Sequence, residues 1–176
     1  MLKVETFWLA NALYFEESNY VKGKGAPTDD YDRECKKYNQ GFQCIMMESG
    51  GTCSPYSQAY NQPQIASLAL GFATFDIETE CALLNAGNEC AIDTCVVESN
   101  FVLEITKLTS GGVQLTVTSF HTAGFPLDTT CTPFQGNVQG PRDSCCGEYP
   151  TKFPFRSLGG LQECCSDGKV RATGGC

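Results

Sequence analysis

The chain has 176 residues, 41% of them apolar and 18% charged, which is the size and balance of one generous globular domain or two small ones. No stretch approaches the ~20 consecutive apolar residues that a membrane helix needs, which argues against a transmembrane segment. The net charge of −8 is uneven: residues 1–104 carry fifteen acidic and six basic side chains, residues 105–176 five and six. That acidic front half argues against a nucleic-acid partner and against docking on anionic lipid.

Residues 1–15 predict an amphipathic first helix, because Glu5 interrupts the apolar run and no small-residue cleavage site follows, as a signal peptide would require. Its apolar residues Phe7, Trp8, Leu9 and Leu13 are expected to face the core. Thr28, followed by Asp29 and Asp30, predicts a helix start, since a hydroxyl caps free N–H groups and carboxylates favour the positive end of the helix dipole. Tyr31, Cys35, Tyr38 and Phe42 form one stripe of that helix, expected to run to about Cys44 before the Gly50-Gly51 break. A second long helix is predicted from a cap at Gly87 or Asn88 through Cys95, Phe101 or Val102, Ile105 and Leu108, ending at Ser110-Gly111-Gly112. Residues 113–120 alternate apolar and polar side chains and are rich in β-branched ones, the pattern of a half-buried strand. Past Pro126 only short apolar pieces remain between glycines, prolines and cysteines. Such a tail cannot build a core alone, so it must be tied by disulfides or docked on the helices. The expected fold class is mainly α and disulfide-rich, with a helical core over 1–110 and a β or irregular cystine-rich extension over 111–176 packed on it.

Twelve cysteines, an even number with adjacent pairs at Cys145-Cys146 and Cys164-Cys165, read as a disulfide framework. Disulfides persist in oxidising compartments, so a secreted, extracellular protein is expected. Thiolate zinc sites use repeated C-x2-C knuckles, and none occurs here, so neither a metal nor another cofactor is expected.

The segment Gly23-Lys24-Gly25-Ala26-Pro27-Thr28-Asp29-Asp30-Tyr31-Asp32-Arg33-Glu34-Cys35 resembles the secreted phospholipase A2 signature, in which a glycine-rich calcium loop leads through G-x-P-V-D-x-L-D-R into C-C-x-x-H-D-x-C-Y. Cys53-Ser54-Pro55 with Tyr60 resembles that family's C-N-P-x-x-x-x-Y, and the run from Cys90 through Cys95 to Glu98 its C-A-x-x-x-C-x-C-D. The resemblance covers about residues 7–108 and implies a phospholipase A2-like helical core that retains bridges Cys53 to Cys90 and Cys81 to Cys95. In the same register Glu34 and Glu104 stand at two positions the family joins by a disulfide, and Gly41 and Val97 at another such pair. Cys35 loses its family partner, Asn19 standing in the loop position, and is expected to pair near Cys44 or with the C-terminal segment. Cys44 itself, nine residues along one helix and about 13.5 Å away, is out of reach. The motif CCGEYPTKFPFR, followed by ECC, resembles modules of invertebrate extracellular matrix-type proteins.

The resemblance also places Tyr38 where the family has its catalytic His and Asn39 where it has a calcium-binding Asp. A tyrosine with a reference pKa near 10 is a poor general base at neutral pH, and an amide offers calcium only a neutral carbonyl. Tyr20 and Lys22 replace loop residues that turn carbonyls onto the ion, and Glu98, at the family's second carboxylate, is expected to accept a hydrogen bond from a tyrosine. Glu34 and Glu104 are expected to splay into water rather than share a proton or a cation. His121, the only histidine, is expected on or beside the strand without a catalytic role. No enzymatic activity is therefore expected. The expected function is that of a non-catalytic extracellular structural protein that self-associates into a matrix or fibre. The alternative is an inactive phospholipase A2-like binding module or toxin-type subunit, with Phe7, Trp8, Leu9 and Leu13 at the entrance of the old lipid channel.

Overall fold

The computed structural model describes Pro27 and residues 29–71, 73–112 and 141–176. The expected first helix, the calcium-loop positions Tyr20 and Lys22, the strand over 113–120 and His121 all lie outside the described residues.

Helix α1 spans Asp30–Glu48. Its cap is Asp29, one residue later than expected, and the Asp29 carboxylate accepts from the Asp32 N–H at 2.7 Å. The helix runs a full turn past Cys44 because Ile45 is still buried and Met46-Met47-Glu48 are good helix formers. Termination comes at Gly50 and Gly51, whose positive φ values of 60° and 82° let the Gly51 N–H turn back onto the Met46 carbonyl at 2.8 Å. Two helices that the apolar periodicity does not announce follow: α2, the five residues Ile65–Ala69, and α3, Ile77–Leu84. α2 is too short to show a period and has no side-chain cap. α3 does carry a sequence signal, Asp76 accepting from the Thr79 N–H at 2.8 Å with Glu78 and Glu80 in the first turn. α4 spans Glu89–Ser110, capped by the Asn88 side chain on the Ala91 N–H at 3.1 Å and followed by Gly111 and Gly112.

α4 is the shared wall of two apolar clusters. One face meets α1 through Cys35, Tyr38, Phe42, Ile45, Val97 and Phe101; the other meets α2 and α3 through Ile65, Ile77, Cys81, Cys95, Val96 and Leu103. Cys53 is bonded to Cys90 and Cys81 to Cys95, fixing the loop after α1 and helix α3 to opposite sides of α4. These are the two pairs that the phospholipase A2 resemblance implies.

The C-terminal segment is more regular than its composition suggests. Strands β1 (Ser144–Cys146) and β2 (Phe153–Phe155) pair antiparallel, as do β3 (Gln162–Cys164) and β4 (Val170–Ala172). Three-residue strands are too short to show alternation, which is why they read as irregular. Successive side chains on a strand point to opposite faces, and the adjacent cysteines of β1 use this. Cys145 bonds back to Cys44 on α1, while Cys146 bonds forward to Cys164 on β3, and Cys165 closes on Cys176. Around the Cys44 bridge, Lys152 pairs with Glu48 at 2.6 Å, Arg142 donates to the Gln43 side chain at 3.1 Å, and Tyr149 packs against both apolar clusters.

The partner expected for Cys35 is not found among the described residues. It sits fully buried in the α1–α4 cluster, and every other described cysteine is bonded elsewhere. Burial, reinforced by Asp32, Asp29 and Glu34, pushes its thiol up to about 12, so at neutral pH it is a small apolar side chain rather than a thiolate.

Candidate functional site

The residues singled out by sequence converge on one place, the seam between α1 and α4. Tyr38 projects from the middle of α1 and is 3% exposed. Its ring lies between Phe42, with ring centres 4.3 Å apart, and Phe101, at 4.9 Å. Its hydroxyl donates to Oε1 of Glu98 at 3.1 Å. Glu98 stands on the buried face of α4, and its second oxygen accepts from the hydroxyl of Tyr60, in the loop that Cys53 anchors. A buried carboxylate is costly unless its lone pairs are satisfied. Two phenols on two different elements meet that need and make Glu98 the polar pin of the apolar seam. The tyrosine partner expected for Glu98 is thus present twice over.

The electrostatics of this trio disfavour proton abstraction. Burial, then the Glu98 charge and hydrogen bond, raise the Tyr38 phenol well above its ordinary value of 10.0, and the same causes raise Tyr60. Both stay protonated at any physiological pH, so Tyr38 cannot serve as a general base near neutrality. Asn39 is turned away from the trio: its amide donates to the Cys35 carbonyl one turn back, at 2.9 Å. The amide is thus spent on its own helix and would offer a cation only a neutral oxygen. No group of three or more His, Cys, Asp or Glu side chains arranged to hold a metal occurs among the described residues. Tyr38, Asn39 and Glu98 do not fit a calcium ion of the phospholipase type.

The positions flagged as lost disulfides also come together. A Cβ placed on Gly41 would lie 3.7 Å from the Val97 Cβ, within the spacing of about 3.5–4.5 Å across a disulfide, and 3.0 Å from both Val97 methyls. Gly41 is therefore required by a close approach of α1 to α4, with the Val97 side chain filling the space. Glu34 and Glu104 line one cavity of about 210 Å³ together with Tyr38, Val97 and Phe101. They do not behave as a bare acid pair in water: Glu34 pairs with Lys37 and Glu104 with Lys107, each at 2.7 Å within its own helix. The Glu34 side chain is only 12% exposed and that of Glu104 40%. The lysine one turn along compensates each charge. Sequence reasoning overlooked those two lysines and the double tyrosine cap, although the i, i+3 spacings were available to find the first.

No helix among the described residues is long and apolar enough to cross a membrane. Comparison with protein families, with curated proteins and with solved structures found no match.

Proposed function

We propose that the chain is a non-catalytic extracellular structural protein that associates with copies of itself, built on a phospholipase A2-like core whose catalytic seam has been closed. The observation that carries the reading is the Tyr38–Glu98–Tyr60 trio. Where the resemblance calls for a base beside water, a phenol locked between two aromatic rings fills the space and donates its only proton to a carboxylate. Three further features support the core assignment. Cys53 to Cys90 and Cys81 to Cys95 are joined, Gly41 and Val97 lie at disulfide spacing, and Glu34 and Glu104 share a cavity. The five described disulfides support an oxidising, extracellular setting.

Two measurements test the reading. With calcium added, the protein is expected to hydrolyse no phospholipid; turnover that disappears in a Tyr38→Phe variant would overturn the closed seam. At high concentration the native protein is expected to grow in mass by light scattering and to form assemblies visible by electron microscopy. A strictly monomeric protein under those conditions refutes the structural role and leaves the binding-module alternative.

A further inference from the structure

The β1–β2 hairpin is tied to α1 by the Cys44–Cys145 bridge, and its tip, residues 147–152, reaches over the α1–α4 seam. The tip itself is held only by non-covalent contacts. The Lys152 ammonium sits on both oxygens of Glu48, the last residue of α1, at 2.6 and 2.7 Å. The Tyr149 hydroxyl donates to the same carboxylate at 3.3 Å, and its ring centre lies 4.8 Å from the ammonium. Tyr149 packs against both apolar clusters, while Pro150 and Thr151 line the cavity of about 210 Å³ beside Tyr38, Val97 and Phe101. Lifting the tip would therefore open the seam while the bridge keeps the hairpin attached.

Asp93, on α4, stands in the field of this latch. It is half-buried, and no hydrogen bond to it forms among the described residues. Glu89 lies one turn back on the same helix face, a like-charge i, i+4 pair. Burial first, and the charges of Glu89 and Glu48 after it, oppose ionisation of Asp93. Only Lys152 favours it, and that ammonium already serves Glu48. The opposing causes outweigh the lysine, so the Asp93 carboxyl is raised above its ordinary value of 3.8. The Asp93 charge is also felt by the Tyr149 phenol. Glu148, the remaining charged group of the tip, is exposed and plays no part in this balance.

We propose that the hairpin tip is a proton-tightened flap over the α1–α4 seam, held closed when Asp93 carries a proton and loosened when Asp93 ionises. The sign follows from linkage. A closed tip keeps Asp93 half-buried beside Glu48 and Glu89, whereas a lifted tip lets water solvate the carboxylate. The closed form therefore holds the proton to higher pH than the open form does. Closure is favoured on the acid side of the raised value, and the preference is lost as pH rises through it. A lifted tip takes Tyr149 off both apolar clusters and exposes the cavity beside Tyr38, Val97 and Phe101. This inference is independent of self-association.

The test is hydrogen exchange of the full, disulfide-bonded chain, read at the amides of 147–152 and corrected for the intrinsic effect of pH, which measures how often the tip lifts. Between about pH 7.5 and about pH 5 the wild type is expected to gain protection severalfold at these amides, with no such gain in the middle of α4. Asp93→Asn, neutral throughout, is expected to show the higher protection at both pH values. Glu89→Gln, at an exposed position, removes one opposing charge and should move the wild-type gain to lower pH, a readout that does not depend on the Asp93 variant folding. A wild-type profile that is flat over this range overturns the flap. So does an Asp93→Asn chain that keeps the wild-type pH dependence, or a gain that stays in place in Glu89→Gln.

Discussion

At the level of single residues, Tyr38 decides the character of the α1–α4 seam. A base in a hydrolase must be able to exchange its proton, whereas this phenol is walled by Phe42 and Phe101 and fixed on a buried carboxylate. Tyr38→Phe removes one of the two hydroxyls on Glu98 while leaving the ring. A loss of about 1.5–3 kcal/mol in unfolding free energy is expected from denaturant titration, the range for a hydrogen bond to a charged group. The same burial predicts the alkaline limit of the fold. Tyr38, Tyr60 and Tyr149 are all raised above an ordinary value of 10.0, by burial first and by a neighbouring carboxylate next. The folded state therefore keeps protons that the unfolded state releases above about pH 10. Stability is fully present below that pH and falls as pH rises beyond it. Phenolate absorbance from these three side chains should appear only together with unfolding; early, reversible ionisation of all the tyrosines in the native state would contradict it.

Among the elements, α4 organises the rest, with one face turned to α1 and the other to α2 and α3. Its start rests on Asn88, and Asn88→Ala should cost about 0.5–2 kcal/mol by thermal or chemical denaturation. Its closeness to α1 can be tested covalently. Gly41→Cys with Val97→Cys should form a new bridge, detected as a cross-linked peptide after digestion without reductant, because the two Cβ positions lie 3.7 Å apart. Two unlinked thiols there would contradict the α1–α4 packing. Much of this level is legible in the sequence: the long helices announce themselves through caps and apolar stripes, and the glycine pairs mark their ends. α2 is too short to show a period, and α3 hides a good cap behind a brief apolar pattern. The strands escape notice because three residues carry no alternation; each pairs with a strand a short turn away, and the cysteines tie the two pairs to each other and to α1. The candidate site follows the same division. Tyr38, Asn39 and Glu98 are legible by register, while the Tyr60 contact depends on how a loop folds back and could not be read from spacing.

For the molecule as a whole, the helical and C-terminal parts meet through the Cys44–Cys145 bridge, 101 residues apart in sequence. In the chain-entropy account a loop of that length is worth about 4.7 kcal/mol, against about 3 kcal/mol for one of 15 residues. Cys44→Ser with Cys145→Ser should therefore destabilise the protein more than loss of the Cys165–Cys176 bridge, whose separation is 11. Unfolding midpoints of the two double variants compare them directly.

The adjacent cysteines of β1 and those at the end of β3 have a mechanical consequence. From Cys44 the covalent path runs across a bridge to Cys145, over one peptide bond to Cys146, across to Cys164, over one more to Cys165, and across to Cys176. A pull applied between α1 and Cys176 travels along this ladder of three bridges and two peptide bonds. Cutting the chain once between residues 113 and 140 should leave a single band on a non-reducing gel. With the bridges reduced, the same cut should part the molecule in two.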